Sequence, residues 1–77
     1  MDELLKLLVE PLVSDINDVK IEKTQEGDST LYTLAIPQKD IAKVIGKEGR
    51  MIKSIKNLLK IRAIKENVYA NVEVREI

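Results

Sequence analysis

The sequence predicts a small α+β domain with the element order α-β-β-α-α-β, in which helices pack on one face of a three-stranded sheet. Three observations predict it. Apolar residues recur at helical spacing in three segments, and they alternate along three others. The alternation also leaves one sheet face polar, so the helices are expected on the opposite face. At 77 residues the chain is expected to form one domain, residues 1–77, with a modest core.

Leu4, Leu5, Leu8 and Leu12 share one helical face, which predicts a first helix over residues 2–14. Asp2 and Glu3 suit its positive end. Pro11 would kink the last turn, because it removes a hydrogen bond and clashes with the preceding turn. "SDIND" then reads as a loop. Val19 and Ile21 alternate with Lys20 and Glu22, giving a strand from about residue 18 to 25. "EGDS" supplies a turn at Gly27, and Tyr32, Leu34 and Ile36 alternate with Leu31, Thr33 and Ala35 in a second strand. The short connection favours an antiparallel hairpin.

Pro37 stops that strand and can open a helix. Ile41, Val44 and Ile45 form the apolar stripe of a short second helix, and two glycines interrupt it. A longer third helix is expected from about Arg50 to Glu66. At 100° per residue, Met51, Ile52, Ile55, Leu58, Leu59 and Arg62 fall in one arc, expected to face the core. Arg50, Lys53, Lys56 and Lys60 form a basic ridge beside it. Asn67 ends the helix, and Ala70, Val72 and Val74 alternate with Asn71, Glu73 and Arg75 in a last strand. Tyr32 is expected in the core and Tyr69 partly exposed. Ile61 and Ile64 fall outside the core arc: either the last strand shields them or they join a partner surface.

Composition narrows the function. The chain has neither histidine nor cysteine, which removes the commonest general base, the thiol nucleophile and the best transition-metal ligands. Neither the P-loop nor the dinucleotide glycine pattern occurs. No enzyme, catalytic residue, cofactor or metal is expected. The opening "MDELLKLLVEPLV" is acidic at its front and broken by Glu10 and Pro11, so it does not read as a secretory signal, and no run of about 18 apolar residues spans a membrane. A cytoplasmic location is expected.

Formal net charge is zero, yet the charge is strongly polarised. Residues 39–65 hold nine basic residues against two acidic ones, a local +7. The remainder holds four against eleven, or −7. A local field matters more to a docking polyanion than the total does. Inside the basic segment lie Gly46 and Gly49. Glycine tolerates positive φ and lets another backbone approach. Gly49 also stands at the start of the third helix, where free amides suit phosphate oxygens. Lys47 and Arg50 add full charges there. A bare G-x-x-G is otherwise a common helix–turn–helix corner.

The run Val44-Ile45-Gly46-Lys47-Glu48-Gly49-Arg50-Met51-Ile52-Lys53-Ser54-Ile55 resembles the signature of the KH domain, apolar-I-G-x-x-G-x-x-I-K-x-I. The element order resembles the type II, prokaryotic arrangement. The likeness covers nearly the whole chain, as in the small stand-alone bacterial KH proteins of the KhpA type. That resemblance implies binding of single-stranded RNA by a GKEG loop and basic helix, in the manner of an RNA chaperone or post-transcriptional regulator. It also implies a homodimer, or a heterodimer with a larger KH-containing protein.

Carried over, the resemblance assigns Gly46, Lys47, Glu48 and Gly49 to the sugar-phosphate backbone. Arg50 and Lys53 would supply charge beside it, and Lys43 joins the RNA-binding set. Ile41, Val44 and Ile45 would border an apolar groove for about four bases, although spacing alone leaves Ile45 open to core or groove. Taken singly, Lys39, Lys43, Lys56, Lys60 and Lys65 read as solvating helix surfaces. Glu48 puts a negative charge in the clamp, which weakens binding unless it points to solvent or pairs with a neighbouring cation. Tyr32 and Tyr69 are the only aromatics and neither lies in the glycine segment, so aromatic stacking is not expected to drive binding. The alternative is a protein-interaction or dimerisation module that keeps this fold with weak RNA affinity.

Overall fold

The computed structural model describes residues 2–77. Three α-helices and a three-stranded mixed sheet follow the expected order: α1 (Asp2–Val9), β1 (Lys20–Glu26), β2 (Ser29–Ile36), α2 (Gln38–Ile45), α3 (Arg50–Lys65) and β3 (Tyr69–Glu76). The first helix is shorter than its apolar pattern suggested. It ends at Val9, and Glu10–Leu12 form a 3-10 turn. The cause is Pro11, which has no N–H to continue the α ladder. The expected loop over 14–18 contains a second 3-10 turn, Ile16–Asp18, where the Asp15 carboxylate accepts from the Asn17 amide at 2.9 Å.

β1 and β2 pair antiparallel, with Glu26 opposite Ser29, so Gly27 and Asp28 alone make the turn. Gly27 supplies positive φ at its first position (+60°). β3 pairs with β2 in parallel, after the chain crosses through α2 and α3, and the strand order is β1-β2-β3. Parallel neighbours require such a crossover. It puts β3 at an edge, with α3 packed against it.

One sheet face carries Ile21, Leu34 and Val74 in register, with Tyr32 beside Val72. These meet Leu5 and Val9 of α1, Val44 of α2, and Ile55 and Leu59 of α3 in the core. The opposite face is polar: Glu22 accepts from Arg75 at 3.1 Å across the central strand. On α3 the core stripe differs from the expected arc. Ile55, Leu59 and Ala63 are buried and Ile52 partly so, whereas Met51, Leu58 and Arg62 are exposed. The small Ala63 presents no obstacle toward β3, and Arg62 turns outward to pair with Glu66 at 2.7 Å. Asn67 ends the helix as expected. It adopts positive φ (+57°), its amide donates to Ile64 O, and the Val68 amide donates to Ala63 O. This pair of bonds is the Schellman arrangement.

A buried carboxylate fixes α2. Asp40 is 1% exposed, and its Oδ1 accepts from the Ser14 hydroxyl at 2.9 Å, 26 residues away in sequence. The bond ties the segment after α1 to the first turn of α2, where a negative charge also suits the helix dipole.

Burial, then the carboxylates of Asp2 and Glu66, raises the Tyr32 phenol above its ordinary value of 10.0. A raised folded-state value means this contribution is intact below pH 10 and is lost as pH climbs through the folded value. Tyr32→Phe is therefore expected to retain relatively more of its neutral-pH stability above pH 10 than the parent does, as read from urea midpoints at pH 8 and pH 11.

Candidate nucleic-acid interface

The loop between α2 and α3 takes its shape from three consecutive demands on the backbone. The Gly46 amide closes α2 on Ala42 O at 2.8 Å, and the chain then leaves the helix at φ +78°, ψ 175°. Glu48 (φ 56°, ψ 26°) and Gly49 (φ 74°, ψ 14°) are both left-handed. The Gly49 amide donates to Gly46 O at 3.2 Å, and the Arg50 amide to Lys47 O, which turns the chain into α3.

Gly46 is fixed by space as well as by φ. A Cβ there would lie 2.6 Å from Met51 Cβ and 2.9 Å from Met51 N. Residue 46 thus touches the first turn of α3, and only hydrogen fits between them. At Gly49 the nearest atom to such a Cβ is Ile52 Cγ2 at 4.0 Å, so that glycine answers to backbone conformation alone. The Arg50 amide is taken by Lys47 O, and no side chain caps the N-terminus of α3.

Charge surrounds this bare backbone. Lys47 and Glu48 form the exposed tip, Arg50 and Lys53 follow on the exposed side of α3, and Lys43 is exposed on the last turn of α2. Glu48 pairs loosely with Arg50 at 3.7 Å, and both side chains are solvent-facing. Among the described residues Lys43, Lys47, Lys53, Lys56 and Lys60 form no ion pair. Ile41 and Ile45 are half-buried. Val44 is 0% exposed. Its side chain belongs to the core, so any groove border on α2 falls to Ile41 and Ile45.

The structure also places together residues that the sequence reading left apart. Lys56, Asn57 and Lys60 of α3 and Ala70, Asn71 and Val72 of β3 line a recess of about 130 Å³ between helix and sheet edge. Lys56 and Lys60, read singly as solvating residues, continue the row that Lys53 begins. The helical wheel held that signal, since all three share one arc. Their facing residues on β3 carried none, because the parallel crossover that brings them near has no local signature.

Comparison with known proteins accords with this geometry. The model of the family described as KhpA/KhpB, KH domain, matches residues 2–74. The chain belongs to this KH-domain family. It is 38% identical over 76 residues to the RNA-binding protein KhpA of Chlamydia pneumoniae, covering 99% of this chain and 97% of that one. Identity to the RNA-binding protein KhpA of Clostridium perfringens is 36% over 74 residues, covering 96% and 99%. For the protein of the same name from Listeria monocytogenes it is 34% over 76 residues, covering 99% and 100%. Among the described residues, no helix of this KH domain is long and apolar enough to cross a membrane.

The two glycines are expected to respond differently to a methyl group. Gly46→Ala must push α2 and α3 apart and is expected to cost at least about 2–3 kcal/mol, from overpacking together with positive φ. Gly49→Ala faces only the backbone term, about 1 kcal/mol. Glu48→Gly removes the same kind of strain and is expected to stabilise by up to about 1 kcal/mol. Urea denaturation of the three variants checks this order.

Proposed function

We propose that this KH domain binds single-stranded RNA with the Gly46–Gly49 loop as its backbone clamp. The observation that carries the reading is an exposed, glycine-opened loop at a helix start with no side-chain cap, set among lysines that form no ion pair among the described residues. The relatives, each named an RNA-binding protein, support it. In this reading the sugar-phosphate backbone lies against Gly46, Lys47, Glu48 and Gly49. Lys47 and the amides at the start of α3 receive phosphate oxygens, and Arg50 exchanges Glu48 for phosphate. Lys43 and Lys53 neutralise charge on either side, and Ile41 and Ile45 give the adjoining bases an apolar border. From the clamp the strand continues along Lys53, Lys56 and Lys60 beside β3. Such binding, without base-specific side chains at the clamp, suits an RNA chaperone or post-transcriptional regulator acting in the cytoplasm.

Each phosphate neutralised on a single strand contributes about −0.7 to the slope of log affinity against log salt, so three contacts give about −2. Replacing Lys47 and Glu48 together with Asp places two carboxylates at the clamp. That variant is expected to lose RNA binding while its circular dichroism stays unchanged. A folded double variant that binds as the parent does rejects the mechanism.

A second property rests on a separate observation. Leu58, Ile61 and Ile64 form an i, i+3, i+6 row on α3, and Ile61 and Ile64 are 57% and 73% exposed. We infer that this row seats a second copy of the chain or a larger KH-containing protein, so that two clamps act on one RNA. Sedimentation equilibrium of the parent is expected to show a dimer that Ile61→Glu converts to a monomer. A parent that sediments as a monomer at high concentration excludes the homodimer.

A further inference from the structure

The two edges of the sheet differ in their surroundings. α3 packs against β3, whereas the outer side of β1 has no strand beside it among the described residues. Every residue of β1 except Ile21 is exposed. A strand so placed presents a row of N–H and C=O groups with no ladder partner, which is a template for a second strand. One residue breaks the pattern of this edge. Ile21, Lys23 and Gln25 share the face that packs on the helices, and the register sets Lys23 opposite Tyr32, which is 3% exposed. Lys23 thus stands where the alternation calls for an apolar side chain. Among the described residues it forms no ion pair.

We propose that Lys23 is a guard residue, which prevents β1 from pairing with the β1 edge of a second copy of this chain. A second copy is the occupant to be excluded because the strand is nearly complementary to itself. Two β1 strands related by a two-fold axis pair antiparallel. A slip of one residue would set the helix-covered face of one sheet level with the open face of the other, so only registers two residues apart keep both helical layers on one side. When the 7 residues of each strand overlap fully, Lys20 faces Glu26 of the second copy at both ends, Ile21 faces Gln25, and Glu22 faces Thr24. Lys23 faces its own counterpart, with Cβ atoms about 5 Å apart. That is the single opposed contact in the register. Sliding one strand by two residues sets Glu22 opposite Glu22 in one direction and Glu22 opposite Glu26 in the other, so the shorter overlaps are opposed as well.

Lysine suits this task. Its stem can lie along the rim of the core while its ammonium stays in water. A second strand would strip that water and bring two ammonium groups together. The guard acts whether or not the chain binds RNA. Its consequence is the size of the assembly: with α3 read as one pairing surface, a second pairing surface on β1 would carry association beyond two copies.

The test uses the chain carrying Ile61→Glu, so that β1 is read without pairing through α3. In that background Lys23→Val is expected to self-associate about five- to thirty-fold more tightly than the Lys23 protein, as read from sedimentation equilibrium over a concentration series. Hydrogen exchange is expected to slow at the outward-facing amides of β1 in that variant. Lys23→Arg keeps the charge and is expected to sediment as the Lys23 protein does. Circular dichroism establishes that each variant is folded. A charge swap gives a second arm that needs no apolar substitution. Lys23→Glu and the Lys23 protein are each expected to remain monomeric alone and to form a one-to-one pair when mixed, weakened by added salt. A folded Lys23→Val that sediments as the Lys23 protein does overturns the proposal. So does association of Lys23→Val without slowed exchange in β1, because the valine then adds only nonspecific adhesion. A mixture that holds no mixed pair overturns it equally.

Discussion

The contact between Gly46 and the first turn of α3 sets the rest of the site. The chain must leave α2 and re-enter a helix within four residues, with the second helix start lying directly against residue 46. Any side chain at that point would separate the two helices. Because the space is closed, the direction of α3 relative to α2 is fixed, and so is the outward presentation of Lys47 and Glu48. The strained residues follow from the same constraint: Glu48 and Gly49 both take left-handed conformations to complete the turn. A non-glycine residue at φ +56° costs about 1 kcal/mol or more, and the packing of α2 and α3 on either side offsets it. Gly46 therefore fixes the helix–loop–helix geometry through one property, the absence of a side chain.

Charge is sorted by the same topology. The +7 segment is continuous in sequence and becomes α2, the loop and α3, while the compensating −7 is spread over α1, the turns that follow it, the hairpin, Glu66 and β3. A neutral molecule thereby offers one cationic edge and a mostly acidic remainder. A polyanion feels the near field most, because screening at physiological salt falls off over about 8 Å. The acidic remainder repels a polyanion, so the field favours approach from the α3 side. Glu48 is the exception within the cationic edge. Its loose pairing with Arg50 in solvent carries little energy, so phosphate can displace it at small cost.

Local chemistry was legible in the sequence. Pro11 and Pro37, Gly27, Asn67 and the alternation of Tyr32, Leu34 and Ile36 each act on their own neighbours, and each marks an observed boundary, turn or buried face. The glycine pair with its flanking cations was legible for the same reason. What failed was rotational detail and long-range pairing. The wheel for α3 put Met51, Leu58 and Arg62 in the core arc because it places residues by angle on an isolated helix and carries no information on where the sheet lies. The true inward direction is set by β3, against which Ala63 rather than a larger residue is turned. Val44 was placed beside the groove by the family resemblance, and tertiary packing takes it wholly into the core. The Ser14–Asp40 bond joins residues 26 apart and has no sequence signature at all.

The scarcity of aromatics illustrates how composition and placement differ as arguments. Two tyrosines in 77 residues exclude a sheet-borne stacking platform of several rings. The fold gives the two unlike surroundings: Tyr32 lies on the core face of the central strand, and Tyr69 opens the edge strand, just after the Schellman turn that stops α3. That turn depends on Asn67 holding a left-handed conformation, which brings Val68 and Tyr69 around to the start of β3 beside Ile64 and Lys60. The two ends of α3 thus carry comparable devices. At each end a left-handed residue reverses the chain and leaves an exposed element beside a lysine, a bare main chain at Gly49 and a ring at Tyr69.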